Sequence, residues 1–525
     1  MTATTGLVEE AAPTGVEPVP TAPRRRVAAV IALARFEARQ LLLHIPVFAF
    51  LLIYLGLTCR DLFFGNEGMD DFPALQDVDR ATQSTPLLLG VALLICVNRT
   101  VLRSHRRGTD RHFDVLVMEP WRRTVAHALS VVPYAVLTAG VVAFQILWAA
   151  LKPGAVGHFS PAELAVGPLA VLLSGVLGVL LARLFRSAFV APLAVVSAVV
   201  VPMFAAASTG GPTWQQWLSP VVTETGADPL PSELLGRPAA WHALYLLGLI
   251  GVLVGVAVLV SGGRARIVQA ATAVALAATV AGAAGQSQGT SAALVAAREE
   301  ASVTPEKVQT CREYGRSTYC AYPEWDARAR DWAEVVDRVQ SLAGGGAGSE
   351  RLTVRQRVDA RYGLSGDAAL DSSSTPGTVT VGTRWGGNRV PEFAVGVASV
   401  LVAGTEDAGG HWCTGDARAI TVMWLALGGE SDPMTAFRNV RLDDNVEGSS
   451  LTLAPTSGVV LTAEQTRIVR ELLQKPRYSV IPKVKSHWAE LTSAKTSVGR
   501  VAELLGVPSA PRGTAEEKAE DESCE

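Results

Sequence analysis

The 525-residue chain is 49% hydrophobic and only 18% charged, with a formal net charge of -3 and a mean hydropathy of +0.27. That balance is too apolar for an ordinary soluble protein and places part of the chain in a membrane. The charge is unevenly spread: arginines cluster beside some apolar runs, while acids dominate other loops and the last dozen residues. No basic domain suited to nucleic acid is present.

Residues 1–23 are rich in Ala, Thr, Pro, Val and Glu without periodicity, and lack the charged start and apolar centre of a signal peptide, so a disordered cytoplasmic tail is expected. Residues 24–40 carry five arginines and one glutamate, with Val27, Val30, Ile31, Ala34 and Ala38 near helical spacing. The pattern fits an interfacial amphipathic helix, and equally an inward extension of the first span.

A transmembrane domain is expected over 41–286. Seven apolar stretches, near 41–58, 81–98, 126–150, 164–182, 187–208, 240–261 and 268–285, approach the roughly 20 helical residues needed to cross the hydrocarbon. With the N-terminus cytoplasmic, every inner connection is net positive: 24–40, the 103–127 loop, the turn with Arg183 and Arg186, and the turn with Arg264 and Arg266. The outer connections hold Asp61, Glu67, Asp70, Asp71, Asp77 and Asp79 against Arg60 and Arg80, then Lys152 with Glu163, then Glu224, Asp228 and Glu233 with Arg237, and none is net positive. This asymmetry is what the positive-inside rule requires.

The spans look built for packing. Gly175 and Gly178 permit close helix approach, and Pro46, Pro133, Pro192 and Pro202 either kink their helices or mark tolerated breaks. His44, His127 and His242 lie near span ends, where an interfacial position is expected. So few ionisable groups at mid-membrane depth argue against an ion-coupled transporter. The seventh stretch, 267–286, is Ala-rich and ends in small residues like a signal-peptidase site, but it is free of charge after Arg266, and a span carrying the rest of the chain outside is expected.

Residues 287–512 read as an extracytoplasmic, helix-rich α+β domain, and 513–525 as a disordered acidic tail. Trp325, Trp332, Val335, Val336, Val339 and Leu342 form a helical stripe over 324–342, ordinary core in its simplest reading. Strands are expected over 352–358 and 378–385, and buried helices over 393–402 and 417–427. Thr462 with Gln465 forms a capping box for a helix to Gln474, and 483–505 predicts a final helix. The fold class is therefore a polytopic α-helical membrane domain of about seven transmembrane helices, followed by a soluble, helix-rich α+β domain.

Cysteine use fits an exterior position. Cys311 and Cys320 flank a short segment, CREYGRSTYC, that closes readily as a disulfide in an oxidising compartment. A metal site is the rival, but the spacing is not that of a zinc knuckle and no histidine pair stands nearby.

No GxxxxGK[ST] occurs, so nucleotide binding of the P-loop kind would need a partner subunit, and no HExxH occurs. One GxSxG surrounds Ser287, after an apolar helix rather than the strand a nucleophile elbow needs. His411, Cys413 and Asp416 form a polar cluster better read as a loop around a buried Cys. No cofactor is called for, and no catalytic residue is assigned.

The segment 103–127, RSHRRGTDRHFDVLVMEPWRRTVAH, sets six arginines against three acids between two apolar runs. On charge alone it is a solvated loop that fixes topology. Its order resembles the loop between the second and third spans of type-2 ABC exporter permeases, particularly actinobacterial ones: Arg107, Gly108 and Thr109 open it, Phe113, Val115, Leu116 and Met118 supply apolar positions, and Pro120, Arg122 and Arg123 close it. Where the family often has Glu soon after Gly-Thr, this chain has Asp110, Arg111 and His112. The resemblance covers roughly 24–286 and implies that 103–125 is a coupling helix seated in a separate cytoplasmic ABC ATPase subunit. It also implies a plasma-membrane location among membrane lipid, and assembly as a homo- or heterodimer of permeases. The segment from Cys311 resembles the extracytoplasmic part of the same permeases, where a Cys pair precedes a Pro-led amphipathic helix. The other reading is a membrane-anchored sensory or assembly protein whose outer domain binds a ligand or partner.

Overall fold

A computed structural model gives the architecture and describes residues 23–64, 68, 71–108, 118–197, 217–222, 229–361, 370–406, 416–440, 448–451, 456 and 459–508. Of the tails expected over 1–23 and 513–525, only Pro23 lies among these residues, and it opens a helix rather than ending a tail. Among the described residues, five helices are long and apolar enough to cross a membrane: Ile45–Phe63, the stretch Pro120–Ala150, Pro161–Leu184, Ala239–Val260 and Arg266–Gln286. The second apolar stretch forms a helix over Leu87–Val101, only 15 residues, about 23 Å at helical rise. The fifth begins as helix at 190–197 and then leaves the described residues. Seven expected spans thus become five helices of full length, one shorter apolar helix and one partly described.

The arginine-rich N-terminal segment is a helix of its own, Pro23–Leu43, separated from Ile45–Phe63 by His44, whose backbone is extended. Pro46 and Pro133 occupy first-turn positions of their helices, where the missing N–H costs nothing. Pro133 follows the break between Pro120–Leu129 and Val132–Ala150. Pro168, inside Pro161–Leu184, is an interior proline that sequence reading passed over.

Small residues draw these helices together, as expected of Gly175 and Gly178. A Cβ on Gly178 would stand 2.5 Å from the Leu94 carbonyl oxygen, and Asn98 Nδ2 donates to the Gly178 carbonyl at 3.3 Å. The Ala-rich helix Arg266–Gln286 docks the same way: a Cβ on Gly248 would meet Thr279 N at 2.5 Å. Close approach and dispersion replace the hydrophobic effect between such helices. The far face of this helix, with Ile267, Val274 and Val280, is exposed.

The helices alternate in direction, so the 103–127 loop and the chain after Gln286 emerge at opposite ends. Thr124 Oγ1 donates to Ser261 Oγ at 2.7 Å at the loop end. His242, expected at an interface, is 1% exposed and bridges Gln286 Oε1 at 3.0 Å at the other.

The C-terminal part carries a four-stranded sheet in the order β1 (Thr310–Tyr314), β2 (Ser317–Ala321), β3 (Thr353–Gln356), β4 (Thr378–Val381). β1 and β2 form a hairpin in which Cys311 faces Cys320, and the two are disulfide-bonded. The short segment between the pair is two strands joined by a tight turn at Gly315, φ 59°. β2–β3 and β3–β4 are parallel, and the helix Ala329–Leu342 supplies the first crossover. Its stripe, Trp332, Val335, Val336, Val339 and Leu342, is buried with Trp325 and the helices Arg389–Ala403 and Arg418–Leu427 in one core.

Two expectations are corrected here. The strand over 378–385 ends at Val381, because the Thr383 carbonyl is taken by the Trp325 indole at 2.9 Å and Arg328 at 2.8 Å. The helix over 483–505 is broken into Arg477–Ser486, a turn at Trp488–Leu491 and Val498–Leu505. The Thr492–Ser497 stretch offers side-chain bonds that compete with the helix, and Ser497 caps the last piece by accepting from Arg500 N. The capping box of Thr462 and Gln465 is present in full. β5 (Gly448–Leu451) and β6 (Val459–Thr462) pair antiparallel beside it.

Candidate functional site

Two regions carry functional possibilities, one at each end of the helical part. At the loop end, Arg107 closes the short turn that follows Leu87–Val101, and Gly108 adopts φ +65° with open space around it. Glycine adopts that left-handed backbone without strain. Thr109, Phe113, Val115 and Leu116 lie outside the described residues. Pro120 then opens the next helix at its first turn. Arg122 pairs with Glu119 at 2.8 Å and stacks over Trp121 at 5.0 Å, while Arg123 is half-buried on the same turn. The base of the loop is tied to the N-terminal helix, because Arg103 donates to both carboxylate oxygens of the buried Glu37, at 3.1 and 2.8 Å. Tyr134 Oη adds a bond to the Ala38 carbonyl at 2.8 Å.

At the opposite end, loops expected only as outer connections converge on a buried polar cluster. Arg80 Nη1 reaches Glu163 Oε2 at 2.9 Å, with side chains 8% and 2% exposed, and Gln83 Nε2 donates to the same oxygen. Asp79 Oδ2 accepts from Ser160 N at 2.8 Å, and Arg237 Nη1 lies 3.7 Å from Oδ1. Sequence reading named these charges as topology signals and missed that they meet. The available signal was their position directly abutting apolar runs, where a charge must be either interfacial or paired.

No protein family, curated protein or solved structure matches the chain. Its function is therefore argued from its own residues.

The C-terminal part is locked onto this end. Glu324 accepts from Ser232 N at 3.1 Å and from Gln76 Nε2 at 3.5 Å. Arg328, 2% exposed, donates to the carbonyls of Thr383, Phe72 and Gly154 at 2.8, 2.6 and 3.4 Å. Ala74, Val156, Leu230 and Leu234, from three connections of the helical part, lie in the same core as Trp325 and Trp332. Beside this junction is a cavity of about 320 Å³. Its lining includes Asp61, Asp77, Thr82, Thr85, Gln145, Trp148 and Lys152 from the helical part and Arg328, Arg384 and Trp385 from the C-terminal part.

The other sequence candidates lead away from catalysis. Ser287 Oγ donates back to the Ala284 carbonyl at 3.0 Å at a helix end, a position unlike a nucleophile elbow. Asp416 pairs with Arg418 at 2.6 Å, and His411 and Cys413 lie outside the described residues.

Burial pushes the Asp79 carboxyl up to about 7; the nearby Glu163 charge adds to this, and the Ser160 N–H, Arg237 and Arg80 oppose it. The folded chain thus keeps a proton that the unfolded chain, near 3.8, has released. This contribution to stability is full below about pH 4, falls as pH rises through about 7 and is flat above. Asp79→Asn is expected to remove that part of the pH dependence while keeping an acceptor for Ser160 N. Unfolding midpoints of the two proteins should converge at low pH, separate as pH rises from about 4 to about 7 and stay apart above, with the variant the more stable; parallel profiles would contradict the assignment.

Proposed function

We propose that the chain is the membrane-spanning permease subunit of an ABC exporter, with its N-terminus cytoplasmic and the part after Gln286 extracytoplasmic. A separate cytoplasmic ATPase subunit docks on 103–125 and hydrolyses the ATP. Working as a homo- or heterodimer, the permease receives the closing of the ATPase pair through that loop. The observation that carries this reading is the anchored base of the loop. Arg103 is held by a buried carboxylate on the N-terminal helix, and the apolar helices Leu87–Val101 and Pro120–Ala150 leave from its two ends. A push on such a loop moves three helices together, because a bidentate charged pair with a buried carboxylate resists separation. The arginine turns at the same end, with the acid-containing connections at the other, agree with a cytoplasmic loop. The Cys311–Cys320 disulfide agrees with an oxidising compartment for the opposite end.

The contact residues on this reading are Arg107, Gly108, Thr109, Phe113, Val115, Leu116, Pro120, Arg122 and Arg123, none of which performs chemistry. Phe113→Asp or Leu116→Asp is expected to lower co-purification of the ATPase by at least about a hundredfold, the effect of a charge placed in an apolar hot spot worth ~3 kcal/mol. Membrane insertion should be unchanged. Retained ATPase binding in both variants would remove the docking assignment.

The anchored sensory or assembly protein is the second reading. One observation favours it: the cavity at the junction has walls from both parts of the chain, so a ligand there would be felt by both.

A further inference from the structure

We propose that the acidic segment 514–525 of this chain lies on a basic face built around the helix Arg477–Ser486, so that this surface of the C-terminal part is covered by its own chain. The proposal stands apart from ATPase docking and from the junction.

The face is basic in sequence and stays so in the fold. Residues 472–489 contain Lys475, Arg477, Lys483 and Lys485 and no carboxylate. The acids that flank this stretch, Glu471 and Glu490, are held by Arg467 and Arg500. Among the described residues, no carboxylate pairs with any of the four cations. Arg477 and Lys485 are exposed and share one side of the helix with Ile481 midway between them. Tyr478, beside Arg477, is 75% exposed. Like charges this close on a helix repel one another and favour a counter-charge from elsewhere.

Three hydrogen bonds bring the acidic segment to this face. Lys483 Nζ donates to the Leu505 carbonyl at 3.1 Å, and Lys475 Nζ donates to that of Gly506. A carbonyl carries no formal charge, so each ammonium is bonded while its charge stays uncompensated. Arg467 then holds the Pro508 carbonyl at 2.7 Å. Beyond it come Glu516, Glu517, Glu520, Asp521, Glu522 and Glu525, against Lys518 alone in 514–525. Residues 509–525 reach up to roughly 55 Å when extended, and the helix Arg477–Ser486 is only about 15 Å long. The acids can therefore reach every cation of the face. Tethering gives them an effective concentration on the order of millimolar, which a separate polyanion or an anionic membrane would have to displace.

The test uses the full chain in nanodiscs of equal parts phosphatidylcholine and phosphatidylglycerol, with a benzophenone photocrosslinker in place of Tyr478. Isotopically light and heavy chains are mixed, and the crosslinked peptides are identified by mass spectrometry. Expected is crosslinking to 514–525 within one chain, falling about tenfold as salt rises from about 0.05 to 0.5 M. Arg477→Glu combined with Lys485→Glu should cut it about tenfold as well. So should Glu516→Gln, Glu517→Gln, Glu520→Gln and Glu522→Gln together, which leave the face itself untouched. Arg477→Lys with Lys485→Arg should retain it. Crosslinks that miss 514–525, that join light to heavy chains, or that fall mainly on lipid would overturn the proposal; the last two would make a second copy or the membrane the occupant. Crosslinking to 514–525 that ignores salt and both sets of charge changes would overturn it too.

Discussion

Glu163→Leu should destabilise the protein by about 3–5 kcal/mol, because it removes one member of a buried ion pair and takes the carboxylate away from the other. Arg80 would keep its stacking over Trp217, at 5.3 Å, but lose the carboxylate that receives its Nη1. Gln83, fully buried, would lose the same acceptor oxygen. Glu163→Gln keeps an acceptor and should cost less, about 1–3 kcal/mol. Unfolding midpoints in detergent, compared with the amount of protein accumulating in membranes, measure both. The same substitution also removes one of the influences that raise the Asp79 carboxyl, so the Asp79-dependent fall in stability should move to lower pH. A Glu163→Leu variant within about 0.5 kcal/mol of wild type would mean that the cluster is solvated.

Arg328→Leu should loosen the hold between the two parts of the chain while leaving each folded. Three backbone carbonyls lose their donor at once, two of them, Phe72 and Gly154, on connections of the helical part. Hydrogen bonds from a charged donor contribute roughly 1.5–3 kcal/mol each, and a buried acceptor left alone adds a desolvation penalty, so a local loss of about 3–5 kcal/mol is expected. Trp325 still donates to Thr383, which confines the damage to the junction. Hydrogen exchange checks this directly: amides in 72–78 and 154–156 should gain exchange by at least about a hundredfold, while those of Ala329–Leu342 should not change. Uniform loss of protection throughout the C-terminal core would show instead that Arg328 is required for folding of that core.

Much of the helical part is legible in the sequence because a membrane span announces itself locally. Pro161–Leu184, Ala239–Val260 and Arg266–Gln286 follow directly from uninterrupted apolar runs. The helix Leu87–Val101 starts later than the apolar stretch expected from 81, because Ala81 ends the preceding helix and the polar 82–85, with Pro86, form turns before Leu87. In the C-terminal part the Trp332 stripe and the Thr462 cap were readable because both are short-range patterns. The β1–β2 hairpin was not, because five residues on each side of a turn carry little periodicity, and its register is shared with β3, more than thirty residues on.

The junction was hidden for a different reason. Arg80 meets Glu163 across 83 residues, and Arg328 meets Phe72 across 256. Each partner looks like an ordinary loop charge until the fold brings it out of water. For the 103–127 loop, proposed here as the docking site, the position is reversed: its residue order could be read, while Thr109, Phe113, Val115 and Leu116 fall outside the described residues. Its assignment therefore rests on the flanking helices and on the Glu37–Arg103 tie.

The most direct test of that assignment is affinity capture of the intact chain, solubilised from its native membrane in mild detergent, followed by identification and counting of the proteins retained. A P-loop ATPase in about one-to-one ratio with the chain is the expected result, lost when Leu116→Asp is used as bait. A chain recovered folded, with no ATPase at comparable amount, would contradict the permease reading and favour the anchored ligand-binding protein.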